Sequence, residues 1–102
     1  MSEPAAPKPE VLVLEGEIDL HESPGLIARI NPLIARKLPR IHLDLSAVSY
    51  VDSSGLAAFI DAMQRVQEYG GEFALVAMRE SVRKIFEISR LDQVFRIYPG
   101  PA

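Results

Sequence analysis

The chain predicts an α/β fold built on a mostly parallel sheet, and three observations lead there. Short runs rich in valine and leucine alternate with longer segments whose apolar residues recur at helical spacing. Proline and glycine punctuate the boundaries between them. The resulting order, β-α-β-α-β-α-β, places helices against parallel strands through right-handed crossovers.

Each element has its own signal. Val11-Leu12-Val13-Leu14 is a compact apolar run and reads as the first strand. Ser23-Pro24 reads as an N-cap followed by proline at the first helical position, with Leu26, Ile27, Ile30, Leu33 and Ile34 continuing at helical spacing. Pro32 falls inside that pattern and predicts a kink or a break. Pro39 ends the segment, and Ile41 to Leu45 alternates apolar and polar residues as a strand does.

A loop from Ser46 to Ser53 leads into a second helix, with Leu56, Phe59, Ile60, Met63 and Val66 on one face. Gly70-Gly71 stops it, because glycine accepts the left-handed conformation at a helix C-terminus. Phe73 to Ala77 reads as a buried strand. Val82, Ile85, Phe86 and Ser89 mark a third helical face, and Val94 to Tyr98 a last strand.

At 102 residues the chain has room for one core. Pro4, Pro7, Pro9, Pro99 and Pro101 crowd its two ends, which favours extended, solvated backbone there. The folded body is expected over residues 10–98, between tails at 1–9 and 99–102.

The composition is that of a globular protein, 48% hydrophobic and 25% charged. Eleven basic residues against 14 acidic ones give a net charge of −3, which argues against a reader of nucleic-acid phosphates. The absence of cysteine excludes disulfide scaffolds, thiolate zinc sites and cysteine nucleophiles. No run approaches the roughly 20 apolar residues of a membrane helix, and Met1 to Glu10 lacks the apolar core of a secretory signal. These features predict a soluble, cytoplasmic domain.

In parallel sheets, functional groups gather where strands end and helices begin. Two segments qualify: Glu17 to Ser23, and Ser46 to Gly55. The second holds the densest polar cluster, Tyr50-Val51-Asp52-Ser53-Ser54-Gly55-Leu56. One reading is structural: Ser53 or Ser54 caps the helix and Asp52 complements its dipole. The other is functional, since a helix N-terminus also accommodates a phosphate. A phosphoserine there carries about −1.5 to −2 charges and remains compatible with the fold. Gly55 would let a partner approach the backbone closely.

Catalytic readings are poorly supported. No G-x-S-x-G elbow surrounds either serine. His42 sits inside a strand pattern and reads as structural, while His21 reads as a surface residue rather than a metal ligand with Asp19. Ser81-Val82-Arg83-Lys84 matches S-x-x-K without the motifs that accompany it in β-lactam-reactive enzymes. Arg79, Arg83, Lys84 and Arg90 are interrupted by Glu80 and Glu87, so they read as a solvated face. No P-loop or G-x-G-x-x-G occurs, and no cofactor or metal is expected.

Taken together, Glu15-Gly16-Glu17-Ile18-Asp19, Leu43-Asp44-Leu45-Ser46, Tyr50 to Leu56, Gly70-Gly71-Glu72 and Val82-x-x-Ile85-Phe86-x-x-Ser89-x-Leu91 resemble the STAS domain. The likeness spans residues 11–98 and is greatest to the stand-alone bacterial anti-sigma factor antagonists. It implies a mostly parallel four- to five-stranded sheet flanked by three or more helices. It also implies phosphorylation of the first serine of the D-S-S-G run, here Ser53, by an anti-sigma factor that is a serine kinase.

In that family the unphosphorylated antagonist binds the kinase and frees the sigma factor. The phosphorylated form releases the kinase, and a PP2C-type phosphatase resets the cycle. The resemblance places Asp19 near the phosphosite, with Asp52, Ser54, Gly55 and Leu56 on the contact surface. It separates Ser53 from Ser54 by precedent alone.

Phosphorylation would take the formal charge from −3 to about −5 at a surface already holding Asp52 and Asp19. A monomer without catalytic groups is expected. The alternative within the family is a structural subunit of a stressosome or of a lipid-transport ABC complex. Family members commonly carry a further strand before the first one. Here that stretch is Met1 to Glu10, whose three prolines suit at most a sheet edge.

Overall fold

The computed structural model describes residues 8–100. Its elements run β1 (Glu10–Ile18), α1 (Ser23–Ala35), β2 (Arg40–Val51), α2 (Ser53–Glu68), β3 (Glu72–Val76), α3 (Glu80–Ile88), a 3-10 turn (Leu91–Gln93) and β4 (Arg96–Tyr98). The four strands lie in sequence order, β1-β2-β3-β4, and every neighbouring pair is parallel.

Sequential parallel strands joined by right-handed crossovers must send every helix to the same face of the sheet. The packing agrees. Leu26, Ile30 and Ile34 of α1, Phe59, Met63 and Val66 of α2, and Val82 and Phe86 of α3 share one core with Ile41, Leu43 and Leu45 of β2. Phe59 stacks on Phe86 at 6.3 Å between ring centroids, and Phe86 meets Phe95 edge-on at 5.7 Å.

The opposite face carries two cross-strand rows. Val11, His42, Ala74 and Arg96 form one, and Val13, Asp44, Val76 and Tyr98 the other. Glu72 ties this face together. Its carboxylate accepts hydrogen bonds from Arg40 Nε (3.1 Å), His42 Nε2 (2.8 Å) and the Tyr98 hydroxyl (3.1 Å), with Arg96 Nε at 3.7 Å. Burial pushes the Glu72 carboxyl up, but the bonds from His42, Arg40 and Tyr98 and the charge of Arg40 outweigh it, holding it at about 2. His42, fully buried, is the structural residue that its place in the strand pattern predicts.

The helix stop at Gly70-Gly71 is a complete Schellman motif. Gly70 has φ +82°, its N–H reaches Gln67 O at 2.9 Å, and Gly71 N–H reaches Val66 O at 3.0 Å.

Several expectations need correction. Both β1 and β2 run further than the apolar runs indicated, because they pair with each other from Glu15↔Ala47 to Ile18↔Val51 after register shifts near Glu15 and Gly16. The loop expected from Ser46 to Ser53 is therefore mostly strand. Ser23 is not an N-cap; it is buried at the first helical position, and its hydroxyl donates to Asp19 O at 2.7 Å.

Helix α1 neither breaks nor stops at Pro32 but continues to Ala35, with buried Ile30 and Ile34 anchoring it on both sides of the proline. Its final turn is held by Arg36 N–H on Pro32 O at 3.1 Å. Ser89 is exposed at the end of α3, donating back to Ile85 O, rather than on its buried face. The last strand is shorter than expected, since Phe95 turns into the core.

Four strands are present among the described residues, and Glu10 already belongs to β1. A strand before it would fall on residues 1–7, outside those described.

Candidate functional site

The C-terminal ends of β1 and β2 meet the N-terminus of α2 through Asp52, the single residue between β2 and α2. Its extended backbone (φ −94°, ψ −174°) turns the chain into the helix. Its N–H donates to Ile18 O at 3.1 Å, and its carbonyl accepts from Leu56 N–H at 2.9 Å. Its carboxylate Oδ1 accepts from Gly55 N–H at 3.0 Å. Asp52 is thus the N-cap, where the sequence suggested Ser53 or Ser54.

That substitution of roles frees the serines. Ser53 is exposed at the first position of α2, and its hydroxyl makes no hydrogen bond among the described residues. Ser54 is half-buried. The two serines, equivalent in sequence, are distinct in accessibility.

Gly55 is buried against the end of β1. A Cβ there would meet Ile18 O at 2.5 Å, Val51 Cγ1 at 2.8 Å and Ile18 Cγ2 at 2.9 Å. The close approach is made by the protein's own β1. Leu56 is half-buried and packs against the core.

Asp19 follows Ile18 directly, so the Ile18–Asp52 bond sets its turn beside the start of α2. Its Oδ1 accepts the N–H groups of His21 and Glu22, both at 3.0 Å, and its carbonyl accepts from Ser23 N–H at 2.9 Å. Asp19 therefore shapes the β1–α1 turn with one carboxylate oxygen and leaves the other outside these bonds. The structure brings Asp19, Asp52, Ser53, Ser54 and Gly55 to one rim.

His42 is committed to Glu72 on the far face of the sheet, and His21 lies in the exposed β1–α1 turn. Among the described residues no group of three His, Cys, Asp or Glu could hold a metal ion, and no helix is long and apolar enough to cross a membrane.

Two exposed residues where β1 and β2 end, Leu20 and Tyr50, were given no role of their own by sequence reasoning. Their signal was weak: each is an apolar or aromatic residue outside the periodic pattern of its neighbours.

Comparison with known proteins places this geometry. The STAS domain family model matches residues 5–102. The anti-sigma-B factor antagonist of Bacillus subtilis is 32% identical over 84 residues, covering 82% of this chain and 76% of that protein. The crystal structure of an anti-sigma factor antagonist from Mycobacterium paratuberculosis superposes with a TM-score of 0.81 at 29% identity, covering 94% of this chain and 81% of that one. The anti-sigma factor antagonist SpoIIAA in its unphosphorylated form gives a TM-score of 0.75 at 26% identity, covering 93% and 84%. A structure of the Bacillus SpoIIAA in the phosphorylated form gives 0.68 at 25%, covering 93% and 86%. With a family model matched over nearly its full length and the same α/β architecture in its relatives, this chain belongs to the STAS domain family.

Proposed function

We propose that this protein is an anti-sigma factor antagonist, a binding module switched by phosphorylation of Ser53. The observation that carries the reading is the Ser53 hydroxyl, exposed and unbonded at the start of α2 while Asp52 does the capping. A kinase can take that hydroxyl without dismantling the helix N-terminus. The relative named an anti-sigma-B factor antagonist, and the structures of SpoIIAA in an unphosphorylated and a phosphorylated form, support the same reading.

In this mechanism the unphosphorylated protein binds an anti-sigma factor with serine kinase activity and so frees a sigma factor. Transfer of the γ-phosphoryl group of ATP to Ser53 Oγ, with loss of the hydroxyl proton, adds bulk and about −1.5 to −2 charges. The new dianion stands beside Asp52 and the Asp19 turn, and a partner fitted to the bare hydroxyl is released. A PP2C-type phosphatase restores the serine. The protein supplies no catalytic group and acts as a monomer in the cytoplasm, with residues 10–98 as its working domain.

The test is phosphorylation by the anti-sigma kinases of the source organism, followed by peptide mass spectrometry. One phosphoryl group on Ser53, lost in Ser53→Ala and retained in Ser54→Ala, is the expected result. Modification of Ser54 instead would move the site, and no modification by any of them would remove the switch.

A further inference from the structure

Six large apolar side chains are exposed among the described residues, and two of them stand where β1 and β2 end: Leu20 at 74% and Tyr50 at 46%. Leu20 is two residues past Ile18, and Tyr50 two residues before Asp52, so they flank the two ends of the Ile18–Asp52 hydrogen bond.

Both are held on rigid backbone. Leu20 lies in the turn closed by Asp19, whose Oδ1 takes the His21 and Glu22 N–H groups and whose carbonyl takes those of Glu22 and Ser23. Tyr50 belongs to β2, paired across the strands with Glu17. Apolar groups presented on fixed backbone bind with little ordering cost.

The surrounding charge narrows the partner. Residues 15–28 and 41–64 contain Glu15, Glu17, Asp19, Glu22, Asp44, Asp52 and Asp61 and no lysine or arginine. Cations enter at the margins: Arg79 on Ser46 O at 2.8 Å, Arg29 on Val13 O at 3.2 Å, and Arg65 beside Asp61 at 3.6 Å. A complementary surface is therefore basic at its edge and apolar where it meets the two anchors.

We propose that Leu20 and Tyr50 are the apolar anchors by which the anti-sigma factor is held, seated in two sockets edged by lysine and arginine. The proposal rests on the antagonist reading above and names the groups that supply its affinity. A hydrated phosphate on Ser53 adds bulk and negative charge at the start of α2, beside these strand ends, and opposes seating of the partner.

The experiment is calorimetric titration of the full chain against each purified anti-sigma factor with serine kinase activity from the source organism. Leu20→Ser and Tyr50→Ser are expected to weaken binding about 10- to 100-fold each, as loss of a central apolar contact does. Val94→Ser is the control: it is 51% exposed and lies beside Glu72 at the opposite end of the strands, and it should change affinity by less than about twofold. Association should slow as salt is raised.

Thermal melts of the variants separate lost contacts from lost folding. If wild type binds and the Leu20 and Tyr50 variants bind equally well, the anchor proposal falls while the antagonist reading stands. If wild type binds none of these proteins, the antagonist reading falls and the anchors with it.

Discussion

The carbonyl oxygen of Ile18 lies 2.5 Å from where a Cβ on Gly55 would stand. One atom of β1 thus requires a glycine in the first turn of α2, and the D-S-S-G run acquires its glycine from packing within the domain. Gly55→Ala is expected to force the end of β1 away from α2 and destabilise the fold by about 1–3 kcal/mol, the usual cost of overpacking. Urea unfolding measures it. A variant as stable as wild type would mean that the strand end yields freely.

Capping and modification fall to different residues here, and mutation should separate them. Asp52→Ala removes the acceptor of the Gly55 N–H and should cost about 1 kcal/mol, with Asp52→Asn or Asp52→Ser recovering most of it. Ser53→Ala should stay within about 0.5 kcal/mol of wild type, because its hydroxyl holds nothing in the fold. If Ser53→Ala were the more damaging of the two in thermal melts, the assignment of the cap would be wrong.

Glu72 makes stability depend on acid. Its folded pKa of about 2 lies below its ordinary value of 4.5, so its contribution is fully present above the ordinary value. That contribution is lost progressively as the pH falls from 4.5 towards 2, since the unfolded chain takes up the proton first. Over that range wild type should lose on the order of a few kcal/mol through this group. Glu72→Gln should be less stable at neutral pH and show a flatter acid limb. Urea midpoints across that range test it; parallel acid limbs in the two proteins would show that the knot of Arg40, His42 and Tyr98 does not govern the titration.

Phe86 joins the helices to each other, stacking on Phe59 and meeting Phe95 edge-on. It is fully buried, so Phe86→Ala leaves a cavity and should cost about 3–5 kcal/mol. Phe86→Leu should recover a large part of that. Denaturant unfolding followed by circular dichroism provides the comparison, and a loss below about 1 kcal/mol for the alanine variant would place the core's centre elsewhere.

Local signals in the sequence settled the element order, the one-core architecture, the stop at Gly70-Gly71 and the D-S-S-G turn at a helix start. These depend on periodicity and on backbone preferences carried by a few neighbouring residues. Only the tertiary structure decided how far β1 and β2 extend, since that follows from their pairing beyond Glu15 rather than from apolar runs. It also decided that Asp52 caps α2, that Gly55 is filled by Ile18, and that His42 is held by a glutamate 30 residues away. Those choices are made between segments distant in the chain, where the partner's position, and not the residue's own type, sets the energy.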